Sequence, residues 1–351
     1  MRVAIVNDMA MAREVLKRII ESAPTHRLIW MAKDGQEAVT RAREDPPDII
    51  LMDLIMPVMD GVQSTRQIMK EAPCAILIVT STVSGNFQQV YDAMGYGALD
   101  AVNTPVLGAS GINGAAELLN KLDLITSLLE GSAVRPHAGS TRIGDKVRGS
   151  KDDMPLLLLG ASTGGPQALA EILSGLPSSF PAAIAIAQHV DVSFADGLAA
   201  WLSSRSNIEV RAAREGDRLA TGRAFLAASN DHLVINANRT LSYTPSPRET
   251  PYRPSVDVLF FSVARHWQGP CCAALLTGMG RDGAEGLHAL QDHHAFTIAQ
   301  DQDSCVVFGM PRAAISLNAA KQVLSLSRIG PAIREYFKSQ PEPTPCPTTL
   351  S

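Results

Sequence analysis

Cysteine is scarce: five thiols, Cys74, Cys271, Cys272, Cys305 and Cys346, are spread over 351 residues. Their number is odd, and their spacing fits neither a disulfide framework nor a metal cluster, which excludes a disulfide-built secreted scaffold and points to reduced thiols in a cytoplasmic chain. An excess of one charge is also lacking. With 31 Lys and Arg against 35 Asp and Glu, the formal net charge is -4, so the basic stripe that a phosphodiester backbone asks for is missing and nucleic acid is not an expected partner. No apolar run approaches the roughly 20 residues needed to cross a bilayer. The N-terminus enters the apolar stretch Val3 to Val6 without a charged-then-apolar leader. Membrane insertion is therefore not expected, and a soluble, cytoplasmic protein is.

Apolar residues, in contrast, are plentiful at 46%, and a chain of this length exceeds what one hydrophobic core usually serves, which predicts two domains. From Arg2 to about Glu130, short β-branched runs alternate with amphipathic segments, the pattern of βα units around a parallel sheet. Five strands are expected, at Val3 to Val6, Leu28 to Met31, Ile49 to Met52, Ile76 to Thr80 and Leu99 to Val102. Helical spacing appears in Phe87, Val90, Tyr91 and Met94, and in Leu118, Leu119, Leu122, Ile125 and Leu129. Between Gly131 and Asp153 the periodicity gives way to Gly, Ser, Pro and mixed charge, the composition of a flexible linker. A second α/β pattern occupies 154–338, and the Pro-rich stretch 339–351 is expected to be a disordered tail. Within the second domain, the short alternating runs from Val210 to Tyr243, separated by Glu215-Gly216-Asp217, Thr221-Gly222 and Asn236-Ala237-Asn238, predict an insertion of antiparallel hairpins.

In the first domain Asp8 follows the first strand and Asp53 ends the third. Side chains at the carboxyl ends of neighbouring parallel strands share one crevice, and two carboxylates there make a hard-oxygen site suited to Mg²⁺. Either Asp alone reads more simply as a helix cap. Joined to Met56-Pro57-Val58-Met59-Asp60-Gly61, however, the first 130 residues resemble the receiver domain of two-component response regulators. The resemblance implies a flavodoxin-like (βα)5 fold and Asp53 as the phosphoacceptor. It also implies Mg²⁺ held by Asp8, Asp53 and the backbone carbonyl of Ile55, and Thr80 as the switch hydroxyl. Two departures stand out. Asn7-Asp8 replaces the usual pair of acids, and Thr104-Pro105 replaces the usual Lys-Pro, leaving Thr104 at a switch position where the family has a cation.

In the second domain the apolar run Leu156 to Leu159 leads into Gly160-Ala161-Ser162-Thr163-Gly164-Gly165-Pro166 and then a helical pattern. The first five residues fit G-x-S-x-G in a strand, turn, helix context, the setting of a nucleophilic serine. A Gly-rich turn opening a helix could equally cradle a phosphate, although the Lys of a P-loop and the G-x-G-x-x-G spacing are both missing. His189 directly follows the apolar stretch Pro181 to Ala187, and Asp282 follows Ala273 to Leu276 through Thr277-Gly278-Met279-Gly280-Arg281. Three strand ends thus offer a nucleophile, a base and an acid in the order Ser, His, Asp, while His232, His266, His288, His293 and His294 are poorer candidates. In the inferred chemistry His189 takes the Ser162 proton during attack on an ester carbonyl, Asp282 stabilises the imidazolium, and water cleaves the acyl-enzyme.

Ala161-Ser162-Thr163-Gly164-Gly165, Gln188-His189, Thr277-Gly278-Met279-Gly280 with Asp282, and Val307-Phe308-Gly309-Met310-Pro311 together resemble the CheB family of chemotaxis methylesterases, across both domains and in the family's order. That resemblance implies a doubly wound parallel-sheet catalytic domain, the triad Ser162, His189 and Asp282, and an oxyanion hole from the backbone N–H groups of Thr163 and Met279. It implies γ-glutamyl methyl esters on methyl-accepting chemoreceptors as substrate, receptor glutamines as a second one, a histidine kinase as phosphodonor, and no cofactor for the esterase step. The substitutions at Asn7 and Thr104 resemble the Wsp-type surface-sensing branch. Two readings compete with it: a response regulator whose output domain only binds a partner or nucleotide, and, more weakly, a DNA-binding regulator, for which a helix-turn-helix pattern and a basic face are missing.

Overall fold

The computed structural model describes residues 1–80, 87–108, 111–129, 154–190, 192–250 and 252–340. The chain falls into two compact units, Met1–Ala138 and Gly139–Ser351. The linker expected at 131–153 and the tail from residue 341 onward lie outside the described residues. Among those residues no helix is long and apolar enough to cross a membrane.

The first unit is built on β1 (Arg2–Val6), β2 (Arg27–Ala32), β3 (Ile49–Met52), β4 (Ala75–Thr80) and β5 (Asp100–Asn103), in the order β2-β1-β3-β4-β5 with every pairing parallel. All five expected strands are present, the fifth displaced by one residue. β3 and β4 are buried along their whole length, as strands covered by helices on both faces must be, and their apolar runs are accordingly continuous rather than alternating. The helices are α1 (Ala10–Ser22), α2 (Gly35–Glu44), α3 (Gly61–Glu71), α4 (Phe87–Gly95) and α5 (Ala115–Leu129). Ala12, Val15, Leu16, Ile19 and Ile20 form the buried stripe of α1, the spacing that puts one helix face on a sheet. Asp34 and Asp60 cap α2 and α3 through bonds from Glu37 N and Gln63 N at 2.8 and 2.7 Å. A small antiparallel hairpin, β6 (Val106–Gly108) and β7 (Gly111–Asn113), follows β5 and was not expected.

The second unit contains β8 (Leu156–Ala161), β9 (Ala183–Gln188), β10 (Glu209–Ala212), β11 (Arg223–Leu226), β12 (His232–Ile235), β13 (Leu241–Thr244), β14 (Cys271–Leu275), β15 (Phe296–Gln300) and β16 (Gln322–Leu324). Its helices are α6 (Gly165–Ser174), α7 (Val192–Ser204), α8 (Val256–His266), α9 (Ala284–Asp292), α10 (Met310–Ser316) and α11 (Leu326–Lys338). Seven strands form one parallel sheet in the order β10-β11-β9-β8-β14-β15-β16. The insertion expected at Val210 to Tyr243 is only half antiparallel. β12 and β13 form a hairpin, but β10 and β11 pair in parallel with each other, and β11 pairs in parallel with β9, so both belong to the main sheet. Alternating apolar residues report one buried face and are blind to strand direction. The ten residues linking β10 to β11 return alongside the hairpin, where Gly216 N and Leu219 N donate to Leu241 O and Arg239 O at 2.9 and 3.1 Å.

β9 lies on one side of β8 and β14 on the other, which makes β8 the point where the winding reverses and opens a crevice at the carboxyl ends. The start of α8 is pressed into this crevice. A Cβ on Gly160 would lie 2.3 Å from Val256 Cγ1 and one on Gly283 2.6 Å from the same atom, so both positions need glycine for the helix end to come this close. We expect Gly160→Ala to destabilise the domain by about 1–3 kcal/mol through overpacking, and Val256→Ala added to it to recover part of that loss. Urea unfolding of the single and double variants checks this; a double variant no more stable than Gly160→Ala would show that the clash lies elsewhere.

Candidate active site

Ser162, His189 and Asp282 meet at the carboxyl edge of the second sheet. Ser162 leaves β8 in the tight turn before α6, with Ser162 N bonded to Thr277 O at 3.1 Å and Gly164 in the left-handed region at φ 77°. The turn needs that glycine, because a side chain there would meet Val306 at 2.6 Å. His189 follows β9, its N–H bonded to Ala161 O at 3.1 Å. Its ring Nε2 lies 2.7 Å from Asp282 Oδ2, while Nδ1 is buried and without a hydrogen-bond partner. Ser162 and Asp282 are themselves 8% and 5% exposed, so water is largely excluded from the group.

Asp282 sits on the N-terminus of α8. Val256 N donates to Oδ2 at 2.6 Å, Asp257 N to Oδ1 at 3.2 Å, and the N-cap hydroxyl of Ser255 to Oδ1 at 2.7 Å. Burial works against the charge, but the bond and charge of His189 and the donors Ser255 and Val256 outweigh it and hold the carboxyl below the ordinary carboxylate range. Its neighbour Asp257 shows the opposite outcome: burial and then the Asp282 charge push it up to about 8, despite a bond from Gly286 N at 2.7 Å. Tyr252 covers His189, with ring centroids 4.6 Å apart and planes 1° from parallel. Burial and the Asp282 charge raise its phenol.

The remaining contacts fix the backbone around the serine. Gln188 Nε2 donates to Ser162 O at 2.8 Å, and Thr277 Oγ1 donates to Thr163 O at 2.9 Å while accepting from Val307 N at 2.9 Å. A Cβ on Gly278 would lie 2.8 Å from Ser162 Cβ, so the strand of chain carrying Met279 runs against the serine. The amides of Thr163 and Met279 donate to no other described residue. Two N–H groups that donate to no described residue, near a serine hydroxyl, and a ring held by a carboxylate are the components of acyl transfer.

At the first sheet's carboxyl edge, Asp53 Oδ2 accepts from Asn7 Nδ2 at 2.8 Å and Oδ1 from Leu54 N at 2.7 Å. Asp8 is exposed and Asp53 buried. Burial pushes Asp53 up to about 6; the donors Leu54 and Ile55 pull the other way, and the charge of Asp8 adds to the rise. Thr80 and Thr104 stand on the ends of the next two strands, joined by Thr104 N to Thr80 O at 3.0 Å, and both hydroxyls are buried without a partner among the described residues. Among the described residues no group of three or more His, Cys, Asp and Glu gathers as for a metal. Two carboxylates in mutual repulsion and a backbone carbonyl nonetheless fit a hard cation that keeps several waters.

The receiver domain family of response regulators matches residues 3–110, and the CheB methylesterase family matches residues 157–333. A relative from Pseudomonas aeruginosa, named protein-glutamate methylesterase/protein-glutamine glutaminase 3, is 48% identical over 338 residues, covering 96% of this chain and 100% of its own. One from Burkholderia orbicola, of the same name with the number 2, is 51% identical over 332 residues, 94% of this chain and 97% of its own. The chain belongs to the CheB methylesterase family. The crystal structure of the Thermotoga maritima CheB methylesterase catalytic domain superposes with a TM-score of 0.51 at 33% identity, over 52% of this chain and 98% of that one.

Of the three residues expected as a triad, His189 and Asp282 are hydrogen-bonded and Ser162 lies on the adjacent strand end; Tyr252 and Ser255 were not singled out from the sequence, and Thr277 only as part of a motif. Ser255-Val256-Asp257 ahead of an apolar helix is a legible N-cap with an acid in the first turn; what the cap holds is not. His232, one of the poorer candidates, is fully buried away from the chemistry: Nδ1 accepts from Ser255 N and Nε2 donates to Pro247 O, both at 3.1 Å. It pins the loop that carries Tyr252.

The raised Asp53 carboxyl sets a pH dependence. Were Asp53 to ligate Mg²⁺, a proton would compete with the cation for it, so the affinity should be near its full value at about pH 7 and above, about half at about pH 6, and fall by about tenfold per pH unit below that. Calorimetric Mg²⁺ titrations between about pH 5 and about pH 8 measure this. An affinity unchanged across that range would show that Asp53 is not a ligand.

Proposed function

We propose that this chain is a phosphorylation-regulated protein-glutamate methylesterase that hydrolyses γ-glutamyl methyl esters on methyl-accepting chemoreceptors to glutamate and methanol. Deamidation of receptor glutamines is the same acyl transfer with ammonia leaving. The observation that carries the reading is the 2.7 Å bond between His189 Nε2 and Asp282 Oδ2 beside a buried Ser162, in a chain whose full-length relatives bear these names.

In this mechanism Ser162 Oγ attacks the ester carbonyl carbon while its proton passes to His189 Nδ1, the ring nitrogen left free. Ser162 Oγ and the ring are not hydrogen-bonded in the resting state, and contacts of this kind tighten in the substrate complex. Asp282 stabilises the imidazolium through Nε2–H. The oxyanion takes hydrogen bonds from Thr163 N–H and Met279 N–H. Collapse of the intermediate breaks the bond to the methoxy oxygen, which leaves as methanol with the proton from Nδ1. Water then attacks the acyl-serine, giving up a proton to Nδ1, and breakdown releases the glutamate side chain and returns Ser162 its proton.

Regulation is assigned to Asp53, phosphorylated by a histidine kinase, with Mg²⁺ held by Asp8, Asp53 and the Ile55 carbonyl supplying charge neutralisation at the phosphoryl oxygens. The unpaired hydroxyls of Thr80 and Thr104 support this reading, since each is a buried donor lacking an acceptor. A neutral hydroxyl at Thr104 binds a phosphoryl oxygen about half as strongly as a cation would, so the response to phosphorylation should be modest.

Methanol release from methylated receptor membranes tests the esterase reading: Ser162→Ala, His189→Ala and Asp282→Ala should each lower it by about 10⁴-fold or more, with poor additivity. Near wild-type turnover in His189→Ala would remove that residue as the base. Serine-directed fluorophosphonates should label Ser162, and an unlabelled Ser162 would favour a domain that only binds. For regulation, a small-molecule phosphodonor with Mg²⁺ should add a phosphoryl group to Asp53 and raise esterase activity modestly, and Thr104→Lys should enlarge the gain. Mass spectrometry finding no adduct with either the phosphodonor or the kinase would leave a receiver that acts without phosphorylation.

A further inference from the structure

The charge created during acyl transfer appears on His189, yet among the described residues Asp282 is the only acid bonded to the ring, and it acts at Nε2. The face of the ring is covered by Tyr252, parallel within 1° at a centroid distance of 4.6 Å. This is more than loose contact, because the surroundings are shaped to keep the phenol there. A Cβ on Gly280 would lie 2.4 Å from the Tyr252 hydroxyl, and Gly280 is in the left-handed region at φ 79°, so two constraints select glycine opposite the phenol. The loop carrying Tyr252 is tied down on both sides, by His232 to Pro247 O and Ser255 N and by Arg253 Nη2 to Arg248 O at 2.8 Å. The other charged groups nearby are already committed. Arg281 pairs with Glu285 at 3.0 Å, and Asp257 accepts from Gly286 N.

We propose that Tyr252 is a positioning residue for His189: its ring face holds the imidazole in the plane that joins Ser162 to Asp282 and stabilises the imidazolium formed when Ser162 gives up its proton. An aromatic face attracts a cation at this distance, and it does so more strongly once the ring is protonated. The interaction therefore favours the transition state over the resting enzyme, which is the condition for raising kcat. A one-sided stack also prevents the imidazole from turning about its Cβ–Cγ bond, which would exchange the places of the ring's carbon and nitrogen atoms and leave Nδ1 aimed away from the serine. This inference rests on the reading of Ser162 and His189 as nucleophile and base.

The test compares Tyr252→Phe, Tyr252→Leu and the wild type in the full chain, by ester hydrolysis and by NMR of the His189 ring protons, with Ser162→Ala alongside. Tyr252→Phe keeps the stacked face, so kcat should stay within about twofold of wild type, and the upfield ring-current shift of the His189 protons should remain. Tyr252→Leu keeps an apolar cover but loses the π face; kcat should fall by about tenfold with KM unchanged, and the upfield shift should vanish. Should Tyr252→Leu not fold, pentafluorophenylalanine at position 252 gives the same shape with the quadrupole reversed, and kcat should again fall by about tenfold or more. Wild-type kcat in Tyr252→Leu or in the fluorinated protein would overturn the proposal, as would an equal loss in Tyr252→Phe, which would place the effect in the hydroxyl. Hydrolysis persisting in Ser162→Ala would instead overturn the esterase reading itself, so the two failures are separable.

Discussion

A carboxylate buried like Asp282 costs several kcal/mol in lost hydration unless donors replace the water it gave up. Here four do: the His189 ring, the Ser255 hydroxyl and the amides of Val256 and Asp257. Three of the four come from the first turn of α8, whose dipole also favours a negative charge. The demand for those donors explains why α8 is driven into the crevice, and the crowding there in turn explains Gly160 and Gly283, neither of which leaves room for a Cβ beside Val256. One buried charge thus dictates the seat of a helix and the identity of two residues in the strand and turn that face it.

The chain places two carboxylates at equivalent points, the carboxyl ends of parallel strands, and tunes them in opposite directions. Asp282 is held below the ordinary range by its donors, which favours the anion opposite the histidine. Asp53 has fewer donors and a neighbouring acid, and burial pushes it up to about 6. A carboxylate with spare basicity beside a second acid suits the proposed role of taking up a metal and then a phosphoryl group. Asn7 enters this balance directly: its amide donates to Asp53 Oδ2, occupying a lone pair that an acid at position 7 would leave open while adding repulsion of its own.

Continuous apolar runs made the strands of both sheets legible, because strands buried on both faces cannot hide polar residues, and the residues just past those runs were then bound to share an edge. That is why Ser162, His189, Asp282, Asp8 and Asp53 could be named as candidates one by one. The direction of β10 and β11 could not: β11 is buried at three consecutive residues, Ala224 to Leu226, as a central strand is, but four residues flanked by turn signals are too short a run to tell a sheet strand from one arm of a hairpin. The hairpin β6–β7 lacked an apolar run long enough to notice. Tyr252 was hidden for another reason: it belongs to a loop between β13 and α8 with no periodicity, and only folding brings it over a histidine 63 residues earlier in the chain.

The choice of ring nitrogen follows from the order of the strands. His189 ends β9, Ser162 leaves the adjacent β8, and Asp282 comes after β14, one strand further on. Parallel neighbours lie about 4.8 Å apart, so the acid's strand is about twice as far from the histidine's as the serine's is. Nε2 is the nitrogen at the far end of the imidazole, and it is the one bonded to Asp282. Nδ1, next to the backbone, has no hydrogen-bond partner among the described residues and is the nitrogen proposed to take the proton of the serine on the near strand. The acid on Nε2, with the proposed transfer to Nδ1, is the reverse of the serine-protease triad, in which the acid binds Nδ1 and the serine Nε2. The reversal has a structural cost that Tyr252 answers: a ring anchored only at its tip can pivot about the tip-to-Cβ line, and a flat surface against its face is the simplest way to stop it.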